Sequence, residues 1–206
     1  MTSDTYRESK REAELKAVIS LGYVCKYDPE HANRVANLAL RMFDMLEGLH
    51  QLGGEERFWL QCAAILHDIG RMEGKRGHHK AALQTILNTR MLPFNNRERL
   101  IIGSIARYHR KALPALSHDH YAVLSPGDRL VVGRLAALLR LSAGMAPLFL
   151  GECDLKAEAG ARKVRLSCCV AGAAPKAQEP FPAGDLFERA YNRKLELRWK
   201  HKRPGG

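Results

Sequence analysis

Eight of the nine histidines in this chain of 206 residues fall between positions 31 and 120, and three groupings among them could do chemistry. His31 stands in the first turn of an expected helix, His67 and Asp68 are adjacent at the end of another, and His78-His79 are followed by His109. Neutral imidazoles and carboxylates together suit divalent ions such as Mn²⁺, Fe²⁺, Zn²⁺ or Co²⁺, with Mg²⁺ the harder, oxygen-preferring alternative. An ion held this way lowers the pKa of its water and neutralises charge on a phosphoryl oxygen. In such a site Asp68 would bridge two ions or orient the attacking water. His109 would be a second-metal ligand or a proton donor to the leaving oxygen. The bland alternative is that these groups are polar caps satisfied by backbone. Of the pair His78-His79, one ring reaches the metal and the other meets phosphate or solvent. His118 and His120 flank Asp119 like a metal-binding triplet, but a loop-packing role is the better expectation.

The basic residues around these histidines suit phosphate. Arg71, Lys75, Arg76, Lys80, Arg107, Arg110 and Lys111 are candidate contacts, arginine offering a planar fork and lysine a point charge. Residues 71–111 hold 10 basic and 2 acidic side chains, a local excess of +8, against −3 for residues 1–70 and +6 for residues 112–206. The densest positive field therefore follows His67-Asp68 directly and would attract a phosphorylated small molecule, a nucleotide or polyphosphate. Nucleic acid is disfavoured as a partner, because 7% aromatic residues leave too few rings for a stacking platform.

Helices must position these groups. Residues 5–21 read as a mixed-charge helix ending at Gly22. Asp28-Pro29-Glu30 is a helix start, with Val35, Leu38, Ala39, Met42, Phe43 and Leu46 at helical spacing until Gly48. A third helix follows Gly53-Gly54 and carries Phe58, Trp59, Cys62, Ala63, Ile65 and Leu66 into His67-Asp68-Ile69-Gly70. Further helices are expected at 79–88, 96–109 and 126–145, the last capped by Ser125 with Asp128 at its third position. After Gly151 the periodicity changes. Cys153–Glu158 and Lys163–Val170 alternate as a strand pair about Ala159-Gly160-Ala161, a Pro/Ala/Gly-rich connection spans 171–182, a short helix carries Leu186 and Phe187, and 194–199 alternates again. The expected fold is mainly α: a helical domain over residues 1–150 and a small β-containing appendage over 151–206. The tail Lys200-His201-Lys202-Arg203 is expected to fray.

Five cysteines with no CxxC spacing fit reduced thiols rather than a disulfide framework or zinc ribbon. No apolar run approaches the ~18 residues that span a bilayer, and the polar N-terminus has no signal-peptide core. A cytoplasmic protein without membrane contact is the expectation. The apolar helices of the first half are either all internal or share a homodimer surface.

Five segments carry a family resemblance. They are His31–Ala36, Ala63–Gly70, His78-His79-Lys80, Ala106–Lys111 and Arg134–Leu141, and the closing stretch Asp185–Leu197 follows them in order. Together they resemble the C-terminal HD-type domain of the exopolyphosphatase/guanosine pentaphosphate phosphatase family, within the HD superfamily. The resemblance implies an HD-type helical bundle followed by a small sheet, and a divalent-metal centre that hydrolyses phosphate esters or nucleotides. In the full-length family, phosphoanhydride cleavage belongs to an N-terminal actin-like domain, and the 206 residues here are taken up by the HD-like part. Two positions depart from the pattern. The late Asp ligand aligns with Ala143, and Ala81 stands where relatives carry a further histidine. A methyl group cannot ligate a metal, so the ligands would be His31, His67 and Asp68, helped by His79 and His109. Asp128 is a conceivable substitute carboxylate, though capping suits it better.

Two functions follow. One is an enzyme, a metal-dependent phosphohydrolase acting on a nucleotide or another phosphorylated small molecule. The other is a catalytically impaired module that binds polyphosphate or a nucleotide without cleaving it.

Overall fold

A computed structural model describes residues 3–73, 77–148, 154–170, 181 and 183–201. Helix α1 spans Ser3–Val24 and runs through Gly22, two residues beyond its expected end. The Tyr27 ring packs where a Gly22 side chain would lie, 3.1 Å from an added Cβ, and the reversal is made instead at Lys26, with φ 50°. Helix α2, Pro29–Met45, starts where Asp28 accepts a hydrogen bond from the His31 N–H at 3.0 Å. It buries Val35, Leu38, Ala39, Met42 and Phe43. It stops at Leu46 rather than Glu47, and a single turn, α3 (Glu47–His50), follows before Gln51 adopts φ 53°.

Helix α4, Gly54–Leu66, buries Trp59, Leu60 and the whole stretch Cys62–Leu66, so its C-terminal end sits deep in the bundle. A 3₁₀ turn over Ile69–Glu73 leads on to α5, His78–Asn88. Helix α6, Asn96–Arg107, opens with a reciprocal cap: Asn95 Oδ1 accepts from the Glu98 N–H and Glu98 Oε2 accepts from the Asn95 N–H, both at 2.9 Å. It closes two residues earlier than the spacing predicts. A short helix, α7 (Asp119–Ala122), has no counterpart in the sequence expectation. Helix α8, Pro126–Met145, begins as expected, with Ser125 Oγ accepting from the Asp128 N–H at 3.0 Å. Pro126–Leu148 is the one described helical stretch long and apolar enough to cross a bilayer, yet 61% of that window is buried within the protein. Leu135, Leu138, Leu139 and Leu141 are buried in the core, where the helix packs on α2, α4 and α6.

The remainder is a three-stranded sheet in the order β1-β2-β3 with one helix. Strand β1 (Asp154–Ala159) pairs antiparallel with β2 (Lys163–Val170), placing Leu155 opposite Cys168. Strand β3 (Lys194–His201) joins β2 in parallel, and α9 (Asp185–Tyr191) lies in the connection between them. Leu155, Val164, Leu166 and Cys168 are buried, whereas Cys169 is half-buried, as alternation requires. Cys153 and most of the 171–182 connection lie outside the described residues. Lys200 and His201 do not fray: they pair with Cys169 and Val170. Arg140 of α8 reaches both Asp185 carboxylate oxygens, at 2.8 and 2.9 Å, and Tyr191 Oη donates to the Arg134 carbonyl at 3.2 Å. These contacts tie the appendage to the helices, and the protein is mainly α with a small α+β addition.

Candidate metal centre

Four parts of the chain converge on one carboxylate. Helix α4 ends at Leu66, so His67 and Asp68 emerge from its buried end. His67 is 1% exposed and the Asp68 side chain 15%. His31 is aimed from the first turn of α2, His78 is the first residue of α5, and His109 lies just beyond α6. The Nε2 atoms of His31 and His67 lie 3.7 and 3.6 Å from Asp68 Oδ2, and those of His78 and His109 lie 3.3 and 3.8 Å from Oδ1. Two triads, His31-His67-Asp68 and Asp68-His78-His109, each hold their ligand atoms within 4.8 Å of one another, and they share Asp68.

Gly70 makes the approach of α5 possible. A Cβ at that position would overlap the His78 carbonyl oxygen and come within 2.8 Å of Ala81 Cβ and Ala82 N. Only the missing side chain lets the first turn of α5 lie against the chain leaving Asp68. Gly77, at φ 81°, sets the start of that helix.

The hydrogen bonds fix how the rings are protonated. His67 Nδ1 lies 2.7 Å from the Ala64 carbonyl and His109 Nδ1 lies 2.6 Å from the Ala106 carbonyl. A carbonyl only accepts, so in each ring Nδ1 carries the proton and Nε2 presents a lone pair. Both lone pairs point toward the acceptor oxygens of Asp68. Burial holds both imidazoles below their ordinary pKa; for His109 the neighbouring His67 adds to the effect. Neutral rings with lone pairs facing a carboxylate repel one another unless a cation lies between them. The donor set fits a divalent ion of borderline softness, and the Nδ1–H···O=C bonds are the usual outer support of a ligating histidine.

Not every expected residue joins this group. The ring that α5 brings to Asp68 is His78; His79 sits beside it, its centroid 6.4 Å from that of His109. The helix begins at His78, one residue before its predicted start, and it is His78 that faces the carboxylate. Arg71 Nη1 lies 3.1 Å from Asp68 Oδ2, with more than half of its side chain exposed. Lys80, Arg110 and Lys111 are exposed, and Lys75 and Arg76 lie outside the described residues. Arg107 is only 6% exposed. Asp128 is paired instead with Arg97, which donates to its two oxygens at 2.6 and 3.1 Å. His118 Nδ1 and Tyr108 Oη are hydrogen-bonded at 2.7 Å, and the His118 and His120 rings stack.

The chain matches the family model "Ppx/GppA phosphatase, domain III" over residues 15–146, well over half its length. It is 32% identical over 117 residues to a guanosine-5'-triphosphate,3'-diphosphate pyrophosphatase of Vibrio vulnificus (strain YJ016). That alignment covers 54% of this chain and 23% of the relative, so the chain spans about a quarter of the length of that protein.

Proposed function

Given that the chain belongs to the Ppx/GppA phosphatase family, matching its domain III, we propose that it is a metal-dependent phosphohydrolase acting on a nucleotide or other phosphorylated small molecule. The observation that carries this reading is the pair of Nε2 lone pairs, on His67 and His109, facing the oxygens of Asp68. His31, His67, Asp68, His78 and His109 would hold the ion, with Asp68 common to both triads. A divalent ion there supplies hydroxide near neutral pH and neutralises charge on a phosphoryl oxygen. The protein's own groups do the rest. The Ala64 and Ala106 carbonyls hold two rings in the tautomer that ligates. Arg71, mostly exposed and resting on Asp68, can swing to an incoming phosphate while its stem stays anchored. His79, neutral because burial lowers its pKa to about 4, keeps one N–H donor and one acceptor nitrogen at neutral pH.

A second reading is favoured by Ala143 and Ala81, which supply no ligand where the family resemblance expects Asp and His. On that reading the protein binds polyphosphate or a nucleotide without cleaving it, as a regulatory module.

Metal analysis of protein purified without chelator, followed by a phosphatase and phosphodiesterase screen with Mn²⁺, separates the two. Stoichiometric metal and turnover, both lost in Asp68→Asn, support the hydrolase. Nucleotide binding without metal or turnover, unchanged in Asp68→Asn, supports the module.

A further inference from the structure

Among the described residues, Arg107 is a buried cation without a counterion. The residue is 6% exposed, and its Nη1 is buried with no hydrogen-bond partner among the described residues. No carboxylate among the described residues pairs with it; its one close contact of this kind is the Tyr108 ring, 5.7 Å from Cζ. An unpaired buried guanidinium is costly, and such groups persist where a ligand completes them.

Two further nitrogens in the same neighbourhood are unsatisfied. His79 Nδ1 and His120 Nε2 are both buried and without partners. Arg107 is the strongest charged neighbour of each ring, and the remaining charges acting on His79 are all positive: His78, Lys80 and Arg110. Both histidines are partly exposed as whole residues, so this neighbourhood opens to solvent between the first turn of α5 and α7. The metal centre is adjacent, through the His79–His109 ring contact.

We infer that Arg107, with His79 and His120, forms an oxyanion site that takes a phosphoryl or phosphate group beside, and separate from, the group held at Asp68. The unpaired guanidinium supplies the charge. The two rings supply N–H donors, each by adopting the tautomer the anion requires. The inference uses the proposed hydrolase only for the meaning of the adjacency; the anion site itself stands without it.

The test is thermal unfolding and calorimetry with inorganic phosphate in the presence of chelator, so that metal plays no part. Wild-type protein should gain stability with phosphate, because the anion binds only the folded form. Arg107→Met should be the more stable protein without phosphate and should lose the phosphate response, with affinity falling roughly tenfold or more, as loss of a charge-assisted contact requires. His120→Phe, which keeps the ring and removes the donor, should weaken phosphate binding without unfolding the protein. Asp68→Asn should keep the response. Displacement of phosphate by ADP assigns the site to a phosphoryl group of a larger substrate; phosphate that ADP leaves in place assigns it to the free anion. The inference is overturned if wild-type protein shows no phosphate response, or if Arg107→Met responds as wild type does. Loss of the response in Asp68→Asn alone would place the anion at the metal centre and overturn it equally, whereas absence of hydrolysis leaves it standing.

Discussion

The backbone of His78 lies so close to Gly70 that no side chain fits between them. The contact holds the start of α5 against the segment leaving Asp68, and with it the 3.3 Å separation of His78 Nε2 from Asp68 Oδ1. Gly70→Ala should therefore act on stability and site together. The overlap is with backbone, which cannot swing aside, so the cost should be at the upper end of the ~1–3 kcal/mol of ordinary overpacking or beyond. Chemical denaturation measures that cost, and metal affinity should fall in the same variant. Full affinity in a destabilised Gly70→Ala protein would show that His78 is no ligand.

Asp68 is the shared member of both triads, and its replacement by Asn preserves shape while removing charge. Replacing an outer partner of a metal ligand costs roughly 10–100-fold in affinity. Removing the common ligand itself should exceed that, read as metal content after dialysis against a weak chelator. Asn also changes the local repulsion: its amide NH2, replacing one of the two oxygens, can donate toward the Nε2 lone pair of His67 or that of His109. The metal-free Asp68→Asn protein should then be more stable than metal-free wild type, and a lower Tm in the variant would argue against the neutral tautomers.

The helical scaffold was legible because its signals are local. Asp28-Pro29, Asn95 with Glu98, and Ser125 with Asp128 are caps whose partners lie within four residues, and the apolar spacing between them follows one helical face. His31, His67, Asp68 and His109 could be named for the same reason: all four lie at helix starts or ends that the pattern locates. What sequence could not supply was phase at the start of α5, where one residue's difference selects His78 over His79. Nor could it supply the non-local pairing of Arg97 with Asp128, which occupies both oxygens of that carboxylate. Arg107 and Arg140 show the same limit. Both are buried arginines on helices, yet one has every donor group occupied and the other has none paired by a carboxylate, a difference that depends entirely on what the fold brings near.

Arg140 is 3% exposed and binds the Asp185 carboxylate, the Tyr108 carbonyl through Nε and Nη2 at 3.0 and 2.9 Å, and the Ala112 carbonyl. It thus joins α8, α9 and the chain following α6 at one point. Arg140→Met should destabilise by about 2–4 kcal/mol, because the buried Tyr108 carbonyl and the half-buried Ala112 carbonyl lose their donor and the half-exposed Asp185 carboxylate its partner. The opposite sign expected for Arg107→Met makes the pair a matched experiment in one protein. Equal losses of stability from both would remove the distinction drawn between a structural and a ligand-binding arginine.

His50 gives the pH dependence a definite sign. It is fully buried, its Nε2–H donates to the Phe43 carbonyl at 2.8 Å, and its Nδ1 accepts from the Leu52 N–H at 3.0 Å. Only the neutral ring can make both bonds. Burial lowers its pKa below the ordinary value, with the Phe43 carbonyl opposing the shift. A group protonated more readily when unfolded stabilises the fold fully above its unfolded pKa of ~6.5, and that stability is lost as pH falls from there toward the folded value. The slope for this one group is at most ~1.4 kcal/mol per pH unit. His50→Gln retains an acceptor and a donor without titrating, so it should flatten the loss of stability below pH ~6.5 in urea titrations made with chelator. Metal-free protein is required, since His67 and His109 titrate in the same direction. A curve as steep in His50→Gln as in wild type would assign the acid sensitivity to the other histidines that burial holds neutral, His67, His79, His109 and His120, and none to this ring.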